Sequence, residues 1–207
     1  MPTEDDAIGL GNVGVRIAAT ILYADLTDST GLVKNQSDEF AAEVYKSYVY
    51  AAARAIRHHD GAVTAYDGDR VMGVFMGDTM RNNAVEAAFH VSAIVEDIIQ
   101  PQLDDFYGVS KFTVRQKIGI DQSNILVANT GIRGNNDYVW VGRAANNAAK
   151  MAAFKKGYST YASSAVYSYL KGHNLNASAD GHALWTDLGT ADLGMRIYGA
   201  NARKVNV

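Results

Sequence analysis

Apolar and polar positions divide this chain into short runs of two kinds. Residues 16–26 are apolar nearly throughout, with Ile17, Ala19, Ile21, Leu22 and Ala24, and predict a strand buried on both faces. A polar turn, 27–31, follows. From Ser37 the period becomes helical. Ser37 reads as an N-cap, and Asp38 and Glu39 put acids in the first turn, where the helix dipole favours them. Phe40, Val44, Tyr48, Ala51 and Ala55 then recur on one stripe as far as His58, with Tyr50 on its flank. Asp60-Gly61 ends the helix. Two strand-like runs, 62–66 and 71–76, bracket Asp67-Gly68, a tight-turn pair in which glycine supplies positive φ. Asp69 falls just past that turn.

A second helical stripe, Ala87, Val91, Ile94, Val95 and Ile98, predicts a helix over 84–100 that Pro101 terminates. Residues 112–120 and 125–129 predict two strands around a turn at 121–124, and 133–137 a loop. A short strand at 138–141 is broken by Gly142, and 143–154 predicts a helix rich in Ala and Asn. A strand at 158–162 leads to a short helix capped by Ser163 and reaching Leu170. After a polar loop at 171–183, runs at 185–188 and 195–200 predict a closing hairpin. This order predicts an α+β fold: a ferredoxin-like, split βαβ core whose mixed or antiparallel sheet is covered by helices on one face. Residues 1–15 are expected to be a loose leader, and 16–207 one domain.

Composition narrows the function classes. At 207 residues, 48% hydrophobic and 20% charged, the chain has ordinary globular composition. A net charge of -3 with scattered basic residues speaks against a nucleic-acid binder. There are no cysteines, hence no disulfides or thiolate metal sites, which fits a reducing compartment. No apolar run reaches membrane-spanning length, and the acidic start Met1-Pro-Thr-Glu-Asp-Asp6 does not resemble a signal peptide. A cytoplasmic protein with no membrane or nucleic-acid partner is expected.

Few motifs carry chemistry. Gly9-Leu-Gly11-Asn-Val-Gly14 matches GxGxxG, but a strand-like run follows it where a dinucleotide loop needs a helix. The histidines predict no ligand cluster, because His58 and His59 are adjacent on a helix end and should point apart; no structural zinc is expected. P-loop and Gly-x-Ser-x-Gly patterns are missing. Arg143, Asn146 and Lys150 share one helix face. Asp25 and Asp69 remain, two carboxylates at strand ends. In a split βαβ unit they face each other across neighbouring strands, where a hard divalent cation would join them.

Four segments together carry a resemblance. Tyr23-Ala-Asp-Leu-Thr-Asp-Ser-Thr30, Asp67-Gly-Asp-Arg-Val-Met-Gly-Val-Phe75, Lys117-Ile-Gly-Ile120 and Val141-Gly-Arg-Ala-Ala-Asn-Asn-Ala-Ala-Lys-Met151 occur in the order of a class III nucleotidyl cyclase domain. The resemblance spans residues 16–200 and implies a homodimer with two shared active sites. It implies that Asp25, Asp69 and the Leu26 carbonyl bind two divalent cations, Mn2+ or Mg2+. The segment containing Thr27, Ser29 and Thr30 would hold the triphosphate through backbone N–H groups. Asn146 would orient the ribose from the other subunit. Lys150 stands where the family has an arginine that steadies the transition state, and Lys117 at another phosphate-binding position. The family's adenine readers would fall at Ala65 and Val139, neither of which can read a purine as those readers do.

With those readers absent, the segments resemble the stand-alone pyrimidine cyclases of bacterial anti-phage defence, which make cyclic UMP or cyclic CMP to activate a separate effector protein. On that resemblance UTP is the expected substrate, ahead of CTP, and Tyr50 the expected contact for a smaller base. An adenylate cyclase with atypical readers, or a nucleotide-binding pseudo-cyclase, stays open at this point.

Overall fold

The computed structural model describes residues 8–9, 11, 13–108, 111–132, 135–170, 175–178, 181–190 and 193–203. Among them lies an eight-stranded sheet: β1 (Gly14–Leu26), β2 (Ala62–Asp67), β3 (Arg70–Phe75), β4 (Gln116–Ile132), β5 (Asn135–Val141), β6 (Thr160–Ser163), β7 (Trp185–Asp187) and β8 (Ile197–Ala200). The spatial order is β2-β3-β1-β4-β6-β8-β7, with β5 folding back on the far end of β4. Only β4 and β6 run parallel; the other pairs are antiparallel. The α+β class and the mixed sheet agree with the sequence pattern.

Helices cover both faces, not one. α2 (Asp38–His58) and α3 (Met80–Ile94) bury Phe40, Val44, Tyr48, Phe89 and Val91 against Leu22, Ala24, Leu26, Val71 and Phe75. The opposite face, with Ala19, Ile21, Met72, Val74 and Ile125, is closed by Ala144 and Ala148 of α5 (Arg143–Ala152). A strand apolar on both faces needs a cover on both, and α5 supplies the second. It lies close because β4 carries Gly119 there: a Cβ would collide with the Ala148 carbonyl and come within 2.8 Å of the Ala152 nitrogen.

Several expected boundaries shift for identifiable reasons. The turn at 121–124 is absent, and β4 runs through it in unbroken register with β1, from Gln116 opposite Leu26 to Ala128 opposite Gly14. Its turn-forming side chains are satisfied elsewhere: Ser163 Oγ donates to Asp121 at 2.5 Å, Arg81 donates to Gln122, and Ala144 N–H donates to Ser123. Ser163 is the N-cap of α6 (Ser164–Tyr167), but its hydroxyl serves Asp121 instead of the helix.

Pro101 does not end its helix. A π-helical segment, Val95–Ile99, follows α3, and Pro101 sits at the start of α4 (Gln100–Tyr107), where the wider ladder tolerates its missing N–H. The turn expected at 27–31 contains the start of α1 (Ser29–Asn35), entered through Asp28 at φ 61. The leader is partly held: Ile8 is buried, and its carbonyl accepts from Asn129 at 2.9 Å. Residues 1–7, 10 and 12 of the leader lie outside the described residues, as do Arg133 and Gly134 of the expected loop. The remainder of that loop, from Asn135 to Asp137, belongs to β5. Of the polar loop at 171–183, residues 171–174 and 179–180 also lie outside the described residues.

Candidate active site

The sheet register assembles the centre. Asp67 lies opposite Arg70, Arg70 opposite Asp25, and Asp25 opposite Lys117, one charged row across β2, β3, β1 and β4. Two residues back along the strands, and so on the same face, runs a second row: Ala65, Met72, Tyr23 and Gly119. Gly68, at φ 59, makes the two-residue turn between β2 and β3, with Asp69 its second member and not beyond it. The turn is pinned to β1 by the Leu26 N–H, which donates to the Asp69 carbonyl at 3.4 Å.

Negative charge is concentrated here. Partial burial pushes the Asp25 carboxyl up; the Arg70 guanidinium, whose Nε donates to Oδ1 at 3.1 Å, opposes this, and Asp69 and Asp67 push it further up. Asp25 holds Arg70 above the ordinary guanidinium value in turn. Burial and Asp67 raise the Tyr23 phenol. Behind the row, the fully buried Tyr48 is held neutral by burial and by Asp25 and Asp69, and its hydroxyl is without a hydrogen-bond partner among the described residues. Two hard carboxylates, a neighbouring carbonyl and an orphaned hydroxyl behind them form a donor set that fits a divalent cation.

Around this centre the expected phosphate contacts divide. The Thr27 N–H is already donated to the Arg115 carbonyl at 2.7 Å, against expectation. The N–H groups of Ser29, Thr30 and Gly31 open α1, where a helix has no internal acceptors for them. Lys117 shares a cleft of about 630 Å³ with Thr27, yet its ammonium is committed to the carbonyls of Lys156 and Tyr158. Burial lowers its pKa. Lys117 thus braces the loop after α5.

Other expected members stand apart. Tyr50 is 67% exposed and lies in an open groove with Lys46 and Tyr66, on the helix side of the hairpin. Ala65 packs on the opposite side with the cluster that includes Tyr23, Met72 and Trp140. Tyr50 and Ala65 thus lie on opposite sides of the hairpin. Asn146 and Lys150 project from the exposed face of α5, away from the sheet that Ala144, Ala148 and Met151 contact. Val139 pairs with Ala128, which pairs with Gly14, eleven residues along β1 from Asp25 and so roughly 36 Å at about 3.3 Å per residue.

No family model matches the chain. A uridylate cyclase of Xanthomonas perforans is 43% identical over 185 residues, covering 89% of this chain and 79% of that protein. The chain belongs to the uridylate cyclase family. A uridylate cyclase of Burkholderia cepacia is 40% identical, covering 87% of this chain and 77% of that protein. The adenylyl cyclase CyaB from P. aeruginosa superposes with a TM-score of 0.77 at 19% identity, over 94% of this chain and 98% of that one, a likeness of fold. The fold is that of class III cyclases, and the enzyme is a nucleotidyl cyclase, a phosphorus–oxygen lyase.

Within this uridylate cyclase family scaffold, several residues escape the sequence reading. Tyr23 was within reach: two positions before Asp25 on a strand means the same face. Arg70 was within reach as the cross-strand neighbour of a turn. Tyr48 is core, as its stripe position predicts, and nothing in the sequence marks its hydroxyl as lacking a partner among the described residues. Asp121 looked like a turn residue but is a buried hub, accepting from Ser163 and from Asn147 at 2.9 Å. The histidines, expected to diverge, instead converge: His58, His59 and His90 bring ligand nitrogens within 4.8 Å of one another. His59 leaves helical geometry at φ -101, ψ 36, and this swings its ring beside His58. No helix among the described residues is long and apolar enough to cross a membrane.

Proposed function

We propose that this chain converts a pyrimidine nucleoside triphosphate, UTP ahead of CTP, to the 3',5'-cyclic monophosphate and diphosphate, at sites shared by two copies. The reaction joins the ribose O3' to the α-phosphorus, releases the 3'-hydroxyl proton to solvent, and breaks the bond from that phosphorus to the bridging oxygen, which leaves with the diphosphate. The observation carrying this reading is the charged row that sets Asp25 beside the Asp69 turn, next to a row containing Ala65 and Tyr23.

Asp25, Asp69 and the Leu26 carbonyl would hold two divalent cations, Mn2+ or Mg2+, which when bound acidify the 3'-hydroxyl and offset triphosphate charge. Arg70 keeps Asp25 oriented through its 3.1 Å hydrogen bond. The N–H groups of Ser29, Thr30 and Gly31 offer donors to phosphate oxygens. Asn146 and Lys150 face away from their own Asp25, so they serve the other copy's site, Asn146 on the ribose and Lys150 on the developing charge. A preorganised donor of this kind is worth roughly 10²–10³ in rate. Lysine gives one point charge where arginine gives a fork. Ala65 offers no purine reader, and the half-buried Tyr23, across Met72 in the same row, takes the base-contacting role expected of Tyr50.

On the family's pattern the product would activate a separate effector in anti-phage defence. The chemistry is tested by giving the pure protein each of the four nucleoside triphosphates with Mn2+ and identifying products by mass spectrometry. Cyclic UMP is expected as the main product, and Asp69→Ala should remove it. Cyclic AMP or cyclic GMP as the main product overturns the base assignment, and an active Asp69→Ala overturns the metal assignment.

A further inference from the structure

On the helix side of the sheet, away from the rows just described, the end of α2 meets the middle of α3 through three imidazoles. His58 is the last residue of α2, His59 caps it and His90 lies on α3, and their ring centroids lie 4.9, 5.3 and 5.5 Å apart. We propose that His58, His59 and His90 form a binding site for one divalent transition-metal ion of the zinc class, stapling the end of α2 to α3.

The geometry of one pair is close to ligation. His59 Nε2 and His90 Nδ1 are 3.3 Å apart. Two nitrogens bound tetrahedrally to Zn2+ at about 2.0–2.1 Å are separated by about 3.3 Å. His59 also has its outer partner: its Nδ1 faces Glu86 at 3.4 Å, leaving Nε2 toward His90. A carboxylate behind a ligating histidine fixes its tautomer and makes it a stronger donor. Glu86 and His90 are one turn apart on α3, so both face the end of α2. His58 is exposed, and its ligand nitrogen lies within 4.8 Å of the other two. A cleft of about 410 Å³, bordered by Arg54, Arg57, His58 and His90, gives an ion entry from solvent. Arg54 and Arg57 are exposed, so water screens their opposition to a cation. Neutral imidazoles without thiolates select borderline metals such as Zn2+, whereas the carboxylates around Asp25 select hard ones. The staple lies just before Asp60 and Gly61, the link to the hairpin that carries Asp69.

The test uses the full chain, freed of any purification tag and stripped with chelator. Zn2+ is titrated against a chromogenic chelator in the unaltered chain, in His59→Gln and His90→Gln, and in Asp25→Asn with Asp69→Asn. One tight Zn2+ per chain is expected in the unaltered and carboxylate-altered chains, weakened at least tenfold in each histidine variant, and about tenfold in Glu86→Gln. Binding unchanged by the histidine variants, or lost with the carboxylates, overturns the proposal. If the histidine variants fail to fold, X-ray absorption at the zinc edge of the unaltered protein decides. Imidazole nitrogen scattering at about 2.0 Å supports the site, and an oxygen-only shell overturns it.

Discussion

At the scale of single residues, Asp25 shows how function strains stability. Its carboxyl is pushed above the ordinary value, chiefly by burial, with Asp69 and Asp67 adding to Arg70's incomplete compensation. The folded chain therefore holds this proton more tightly than the unfolded chain. Through that window stability falls as pH rises. Asp25→Asn keeps an acceptor for Arg70 and removes the partly buried charge. We expect it to melt at a higher temperature than the unaltered protein at neutral pH without metal, to lose part of the acid-side pH dependence, and to be inactive. Thermal melts in chelator across pH check this; a lower melting temperature for the variant contradicts it. Tyr23 supports a second residue-scale prediction. Tyr23→Leu keeps the apolar row and removes the phenol. It should raise KM for UTP more than it lowers kcat, with metal affinity unchanged. Steady-state kinetics measure the split, and an unchanged KM removes Tyr23 from the base site.

Among the elements, the contact of α5 with β4 is the one most exposed to a small change. Gly119 lies where a side chain would meet the α5 backbone. Gly119→Val must push the helix off the sheet, with a cost of about 1–3 kcal/mol or more, and displace Asn146 and Lys150. Denaturant melts should show that loss with a larger loss of activity; a stable, active variant would mean that α5 can shift freely. This contact also shows what could be read beforehand. β1, α2, the β2–β3 hairpin and α5 carry strong local signals: an apolar run, a capped stripe, Asp-Gly and a Gly break. The uninterrupted β4 was hidden because Asp121, Gln122 and Ser123 look like a turn, and their satisfaction by Ser163, Arg81 and α5 is tertiary. Pro101 misled for the same reason, since its tolerance depends on a π segment. The positions of Asp25 and Asp69 were legible because strand ends and tight turns are local. The side of the hairpin that Tyr50 meets was not legible, because a helix flank does not specify it. The histidines were missed because one backbone step at His59 decides where the ring goes.

For the whole molecule, the expected site is divided between two ends of the sheet. Asp25 and Asp69 lie at one end of the β1–β4 ladder, Val139 lies near the other, and Asn146 and Lys150 face outward. At that second end the register puts exposed Val15 on one face of the sheet and exposed Ile132, Val139 and Val141 on the other. On the proposed reading, a two-fold pair would set the carboxylates of each copy against Asn146 and Lys150 of the other. The direct measurement is complementation with UTP. Asp69→Ala and Asn146→Ala, each inactive alone, are co-expressed and purified as a mixture. Equal mixing leaves half the dimers mixed, each with one complete site, so activity should return to about a quarter of the unaltered level. No recovery in verified mixed dimers, or full activity in an isolated monomer, would contradict a site shared between two copies.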